Sequence, residues 1–264
     1  MQLIKWDGHV HSPYCPHGTQ DPLEAYIERA LLQGLERISF TEHAPLPKGL
    51  VDPAPDNDSG MSFATAERYI EELKTLRDTY KNDIDIRIGM EFDYWEHDVD
   101  GTRDIIARYG PELTDGILSL HYLWINDRYY MVDFSKESFG EIVTATGSVT
   151  AAHERYYEGI QALVMTNLGT HQPKRLGHLT LPTKFIQAYP LEQTPANLDE
   201  TVRKIRQADF TLDLNTAGLR KPLCGLSYPY PELLQLTQSL GIPLVYGSDA
   251  HLAKDVGADF DMKW

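Results

Sequence analysis

Histidines and acidic residues recur at the ends of short β-like segments in this sequence. Each of these side chains can bind a metal ion through an imidazole nitrogen or a carboxylate oxygen. The residues are Asp7, His9, His11, Glu42, His43, Glu91, Asp93, His121, His178, Asp249 and His251. Such a set predicts a site that holds more than one Zn, Mn or Fe ion, with a carboxylate bridging two of them.

The spacing within two of these groups places both side chains on one side of a strand. His9 and His11 are two residues apart, and so are Asp249 and His251 near the other end of the sequence. Side chains two residues apart on a strand point to the same face. If the first and last strands are neighbours in a closed barrel, the two pairs face each other. Any single histidine could be an ordinary core or surface residue, but the common position at strand ends favours one shared site.

Short apolar segments alternate with longer amphipathic segments along the whole sequence. The pattern predicts seven strands, at 3–11, 37–43, 84–94, 116–122, 175–181, 210–215 and 243–249. It predicts helices at 21–33, 62–80, 100–109, 137–167, 196–208 and 230–240, and a hairpin at 124–132 that turns at Asn126 and Asp127. Alternating strands and helices favour parallel strands in a barrel or a doubly wound sheet. The ligand-type residues favour the barrel, because its strands all end on one face.

Composition and net charge argue against several classes of protein. The 264 residues carry 24 Lys and Arg against 39 Asp and Glu, a net charge of −15, which opposes binding to nucleic acid. The two cysteines are too few for a disulfide framework, and no apolar run approaches the length of a membrane span. We therefore expect a cytoplasmic protein with no membrane partner, built as a single domain over residues 1–264.

Several other residues could carry chemistry but have simpler interpretations. His97 and His171 lie in polar segments away from strand ends, and we expect them to be solvated. His153 is expected on a helix surface, although it could reach a substrate. Cys15 is expected to be a small buried thiol. The long loop at 44–60 is either a lid or specificity element or an ordinary surface excursion.

Seven short motifs occur in a characteristic order. They are D-G-H-V-H-S-x-x-C-P-H at 7–17, S-F-T-E-H at 39–43, G-M-E-F-D-Y at 89–94, S-L-H-Y at 119–122, L-G-H at 176–178, D-L-N-T-A-G-L-R-K at 213–221 and G-S-D-A-H at 247–251. This order resembles the PHP (polymerase and histidinol phosphatase) superfamily, and within it the histidinol-phosphate phosphatases. The resemblance implies a distorted seven-stranded β/α barrel and the hydrolysis of L-histidinol phosphate in histidine biosynthesis. The pattern at 253–264 predicts no long C-terminal helix. The sequence therefore does not show how the barrel closes at this end.

The resemblance also implies three divalent metal ions and their ligands. One ion would be held by His9, His11, Glu91 and Asp249. Glu91 would bridge to a second ion held by His121 and His178, and a third set is His17, His43 and His251. Glu42 is expected to support a neighbouring ligand. Glu91, Asp249 and His251 are the catalytic candidates, with Asp249 or His251 as a possible proton donor to the leaving group.

A phosphate monoester needs cations for its oxygens, and the histidinol part needs an acidic partner for its ammonium. The metal ions would neutralise the phosphate locally despite the negative overall charge. Arg155, Arg220 and Lys221 are candidates for the outer phosphate oxygens. Asp93, two residues beyond Glu91, is the candidate for the ammonium. Alternatives are another phosphoesterase of the superfamily, a non-catalytic metal-binding domain, and a metal-dependent amidohydrolase. The last would usually use a metal-binding lysine on a strand, which the sequence does not offer.

Overall fold

Seven parallel strands form the centre of the computed structural model, which describes residues 5–261. The strands of the described part are β1 (Trp6–Val10), β2 (Arg37–His43), β3 (Asp85–Asp93), β4 (Ile117–Ser119), β5 (Tyr122–Ile125), β6 (Arg128–Met131), β7 (Arg175–Leu176), β8 (Thr211–Asn215) and β9 (Leu244–Gly247). The sheet order is β1-β2-β3-β4-β7-β8-β9, and β5 pairs with β6 alone. The expected distorted seven-stranded barrel is therefore confirmed.

The barrel is nearly closed by contacts between the end of β1 and the segment that follows β9. The amide of Asp249 donates to the carbonyl of His9 at 2.8 Å, and the amide of His11 donates to the carbonyl of Ala250 at 3.0 Å. These parallel contacts bring the first and last motifs together, so closure needs no long C-terminal helix. The start of the first predicted strand, at residues 3 and 4, lies outside the described residues, as do residues 262–264.

Helices cover the outside of the barrel. They are α1 (Leu23–Leu32), α2 (Phe63–Thr79), α3 (Val99–Tyr109), α4 (Lys136–Thr146), α5 (Val149–Met165), α6 (Leu198–Gln207) and α7 (Pro231–Ser239). Their apolar residues at three-and-four spacing, such as Leu23, Tyr26 and Ile27 of α1, are buried against the barrel. Within residues 5–261, no helix is both long enough and apolar enough to cross a membrane.

The helical region predicted at 137–167 is confirmed, but it is divided into two helices. Gly147 adopts a left-handed backbone with φ +92° and ends α4, a role for which glycine is suited because it has no Cβ. Ser148 then begins α5 by accepting a hydrogen bond from the amide of Ala151. The apolar periodicity continues across this break, which explains why the sequence pattern suggested one helix.

Two further segments determine which side chains reach the open end of the barrel. The predicted hairpin is confirmed as β5 and β6, which turn at Asn126 and Asp127 with φ of 48° and 63°. The predicted fifth barrel strand is shorter than expected: it ends at Leu176, and a 3₁₀ turn follows at Leu181–Phe185. Both segments lie at the carboxyl ends of the strands and supply residues to the site.

Candidate metal centre

Glu91 lies at the centre of the histidine cluster. Its Oε2 is 3.5 Å from His9 Nε2, 3.6 Å from His11 Nε2 and 3.3 Å from His43 Nδ1. Its Oε1 is 3.0 Å from His178 Nε2 and 3.7 Å from His121 Nε2. The two oxygens thus face different groups of imidazoles. This arrangement suits a carboxylate that bridges two cations.

Burial and neighbouring rings set the charge of Glu91. The side chain is almost completely buried, at 1% exposure. Burial by itself raises the pKa of this carboxyl, but His9, His121 and His178 outweigh burial and hold its pKa well below the usual range. Glu91 is therefore ionised at neutral pH. A buried carboxylate of this kind needs positive charge close by.

Carboxylates on the outer side of two rings fix which ring nitrogen faces Glu91. His9 Nδ1 lies 2.7 Å from Asp213 Oδ2, and His11 Nδ1 lies 3.0 Å from Glu42 Oε1. An ionised carboxylate only accepts hydrogen bonds, so each Nδ1 carries a proton and Nε2 is the nitrogen that binds a metal ion once it is deprotonated. Glu42 thus has the supporting position expected from the sequence.

A third pair of this kind involves Asp93. His121 Nδ1 lies 2.7 Å from Asp93 Oδ1, which leaves His121 Nε2 only 3.0 Å from His178 Nε2. Both of these nitrogens also face Glu91. Burial opposes protonation of His121, but the carboxylates of Asp93 and Glu91 raise its pKa to about 10. His121, His178 and Glu91 therefore surround a point at which a positive charge is stabilised.

The residues present fit a metal ion by this geometry. His9 Nε2 and His43 Nδ1 are buried nitrogens that face Glu91 and have no hydrogen-bond partner within the described chain. Ligand atoms lie within 4.8 Å of one another in three sets that contain carboxylates: His9, His11 and Asp249; Glu91, His121 and His178; His43, Asp93 and His121. Imidazole and carboxylate donors suit Zn, Mn or Fe. The buried, unpartnered nitrogens are what a cation would satisfy.

The third predicted ligand set also comes together. The ring of His17 lies 5.1 Å from that of His43 and 5.4 Å from that of His251, measured between centroids. Cys15 Sγ falls within 4.8 Å of nitrogens from His11, His43 and His251. Burial and the nearby Glu42 raise the pKa of this thiol to about 11, so it stays protonated. Cys15 is buried as expected, although it lies closer to the cluster than the sequence indicated.

An open cavity of about 430 Å³ lies over this cluster. Its wall includes Asp58 and Ser59 from the 44–60 loop, and Met131, Asp133 and Phe134 from the hairpin and the segment after it. Phe134 is half exposed although it is a large apolar residue. The volume is in the range of small-molecule sites.

Two lysines supply positive charge to the cavity. Lys221 was a phosphate candidate from the sequence, and it is an exposed residue that lines the cavity. Lys184 was not recognised. Its ammonium lies 2.8 Å from Asp133 Oδ2, and the pair lines the same cavity. Lys184 lies in the 3₁₀ turn after β7, in a segment where the sequence shows no strand-end motif.

The other substrate-binding candidates are engaged elsewhere. Arg155 pairs with Glu96 and donates to the carbonyl of Trp124 at 3.0 Å, so the structure does not bring it to the cavity. Arg220 contacts Asp259 at 2.8 Å and donates to the carbonyl of Ser248, beside Asp249. Its position supports the Asp249 segment, and it is not part of the cavity wall.

Asp93 lines the cavity, but its carboxylate is committed to His121. One oxygen of the carboxylate is therefore paired with a ring of the cluster, and binding of an ammonium by Asp93 stays a prediction. The sequence placed Asp93 on the correct strand face, but it could not show that His121 would occupy its oxygen.

The remaining histidines lie away from the cluster. His97 and His171 are exposed, as expected, and His97 stacks on Trp124 with ring centroids 4.4 Å apart. The expected surface position of His153 is wrong. This residue is fully buried within α5 against Phe139, and burial lowers its pKa to about 4.

Asp213 is the most important residue that sequence reasoning missed. It lies inside β8 and is buried at 1% exposure. It is the first residue of the motif at 213–221. It does not lie at a strand end, and the ligand candidates were selected by that position. Its alternation with Asn215, whose amide donates to both Asp213 and Asp249, was the available signal.

Comparisons with known proteins agree with this geometry. The PHP domain model matches residues 7–217. The chain is 42% identical over 262 residues to the histidinol-phosphatase of Bacillus subtilis, with 98% of each chain covered. It is 28% identical over 257 residues to a probable histidinol-phosphatase of Deinococcus radiodurans, with 96% of this chain and 89% of that protein covered.

Solved structures show the same fold. The putative histidinol phosphatase of Listeria monocytogenes superposes with a TM-score of 0.92 at 35% identity, covering 97% of this chain and 98% of that chain. The histidinol phosphate phosphatase of Lactococcus lactis, complexed with Zn, L-histidinol and phosphate, superposes with a TM-score of 0.69 at 22% identity, covering 96% and 88%. The chain belongs to the PHP domain family, in its histidinol-phosphatase branch.

Proposed function

We propose that this chain hydrolyses L-histidinol phosphate to L-histidinol and phosphate at the centre around Glu91. The observation that carries the proposal is the division of its two oxygens between two groups of imidazoles, beneath a cavity of small-molecule size. The relation to the Bacillus subtilis enzyme supports the choice of substrate, because the identity extends over nearly the whole of both chains.

Three divalent ions would occupy the ligand sets. The three sets are His9, His11, Glu91 and Asp249; Glu91, His121 and His178; His17, His43 and His251. Zinc is the first candidate, because the Lactococcus lactis relative is complexed with Zn and these donors suit it. When bound, such ions neutralise phosphate oxygens and lower the pKa of water.

Lys184 and Lys221 are the residues we assign to the outer phosphate oxygens. An ammonium has three donors, and Asp133 accepts from Lys184. The other donors of Lys184 remain available to an anion in the cavity, since the described chain gives them no further hydrogen bond. Lys221 has no ion pair among residues 5–261 and lies at the exposed edge of the same cavity.

Asp249 is the residue we assign to proton transfer at the attacking water. Burial alone would raise the pKa of its carboxyl, but His9 and His11 outweigh burial and hold that pKa well below the usual range, so Asp249 is ionised and its oxygens can accept a hydrogen bond from the water. Burial and His11 lower the pKa of His251 to about 3. A ring that is neutral at pH 7 is suited to bind a metal, and less suited to donate a proton to the leaving group. We therefore assign His251 to the ligand set.

A substrate panel tests the proposal. Histidinol phosphate, an aryl phosphate and a dinucleotide are compared with the protein supplied with zinc. The proposal predicts the highest kcat/KM for histidinol phosphate and little turnover of the dinucleotide, given the net charge of −15. Higher kcat/KM on the other substrates would instead favour a broader phosphoesterase of the family.

A further inference from the structure

We propose that Asp58, on the loop between β2 and α2, binds the ammonium of the substrate and so determines specificity for an amino alcohol phosphate. This inference rests on the proposed function, because it concerns the same cavity. Asp58 lies on the loop that the sequence marked as a lid or specificity element, and it is one of the residues that line the cavity.

Five acidic residues line the cavity, and they differ in whether their carboxylates have partners. They are Asp58, Glu91, Asp93, Asp133 and Asp249. The carboxylates of Glu91 and Asp249 face the histidine cluster. Asp93 is held by His121, and Asp133 is held by Lys184. Within residues 5–261, the carboxylate of Asp58 alone among these five has no hydrogen-bond or ion-pair partner.

The loop holds Asp58 in place through other residues. Asp52 accepts hydrogen bonds from the amides of Ala54 at 2.8 Å and Ser59 at 3.1 Å. Such contacts close the loop on itself. The carbonyl of Asp58 lies 3.2 Å from His17 Nδ1, which joins the loop to the third ligand set. The main chain at Asp58 is therefore held in place, while its carboxylate has no partner within residues 5–261.

The ammonium of the substrate calls for an acidic partner close to the bound phosphate. In an amino alcohol phosphate such as histidinol phosphate, the ammonium is on the carbon next to the one that bears the ester oxygen. A phosphate at the metal centre therefore places the ammonium only a few ångströms away. Asp58 contacts a ring of the cluster through its main chain, so it lies close to the place where the phosphate would bind. A carboxylate and an ammonium partly removed from water attract each other.

The test compares Asp58→Asn with Asp56→Asn. Asp56 lies on the same loop two residues earlier, is exposed and does not line the cavity. Each variant is assayed with histidinol phosphate and with the analogue that lacks the amine, 3-(imidazol-4-yl)propyl phosphate. Binding of L-histidinol is measured by calorimetry as a second readout.

We expect Asp58→Asn to raise KM for histidinol phosphate about tenfold, as for a partly exposed charge pair, with little change for the analogue. The Kd for L-histidinol should rise in parallel, Asp58→Glu should recover part of the loss, and Asp56→Asn should match the wild type. Equal losses on both substrates would overturn the inference, because Asp58 would then act through His17. Unchanged KM and Kd would overturn it as well. Turnover of histidinol phosphate by the wild type tests the proposed function separately.

Discussion

His9 Nδ1 and Asp213 Oδ2 lie 2.7 Å apart, and both side chains are almost completely removed from solvent. The contact holds the proton on Nδ1 and turns Nε2 toward Glu91 and Asp249. His11 with Glu42, and His121 with Asp93, repeat the same relationship. Carboxylates behind the rings therefore orient the centre before any metal binds.

Asp213→Asn should weaken metal binding. An amide in place of the carboxylate loses the charge that fixes the His9 tautomer, and loss of such a supporting group typically costs about 10- to 100-fold in metal affinity or activity. Competition with a fluorescent chelator measures the zinc affinity. Asp209→Asn is the matched control, because Asp209 precedes the same strand, is exposed, and has a φ of 57° that asparagine tolerates. Equal affinities in the two variants would show that Asp213 does not orient His9.

Loss of a ligand should affect turnover far more than loss of a peripheral histidine. We expect His9→Ala and Asp249→Asn to lower kcat/KM by about 1,000-fold or more, because each removes a donor from the centre. Asp249 has a φ of 51°, which asparagine accommodates, so the second variant tests the carboxylate and not the backbone. His97→Ala should stay within about twofold of the wild type. Similar losses at His97 and His9 would show that the ligands are wrongly assigned.

Lys184→Met should lower kcat/KM about 10- to 100-fold on both histidinol phosphate and an aryl phosphate, because both carry the same phosphate group. Lys184→Arg should retain part of the activity, and the metal content should not change. Lys81→Met is the control, since Lys81 is exposed in the turn before β3, at the opposite end of the barrel. A loss limited to histidinol phosphate would place Lys184 at the histidinol part of the substrate.

His153 should make the fold less stable in acid. Burial lowers its pKa to about 4 from the 6.5 of a free histidine, so between these values the unfolded chain binds more protons than the folded chain. Its contribution is fully present above pH 6.5 and is lost as the pH falls toward 4, by up to about 3 kcal/mol. Urea unfolding of metal-free wild type and His153→Leu at pH 7 and 4.5 measures this. The pH dependence should be smaller in the variant, and identical dependence in both proteins would contradict the assignment.

The sequence predicted the barrel and the ligand-type residues because position at a strand end is a local property. A short apolar segment followed by a histidine or an acid can be recognised without knowing the rest of the fold. Asp213 was missed because it lies within β8, and Lys184 because it follows the unexpectedly short β7. Whether a side chain is free to bind substrate depends on which residues contact it in the folded protein. For that reason the roles of Arg155 and Asp93 could not be predicted from the sequence.

The most direct test measures metal content and histidinol phosphate hydrolysis on the same samples. The protein is treated with a chelator, dialysed, and titrated with zinc, while elemental analysis gives the ions per chain. We predict that activity disappears with the metal, returns as zinc is restored, and reaches its maximum at about three ions per chain, one for each ligand set. Full activity at well below one ion per chain would contradict the account.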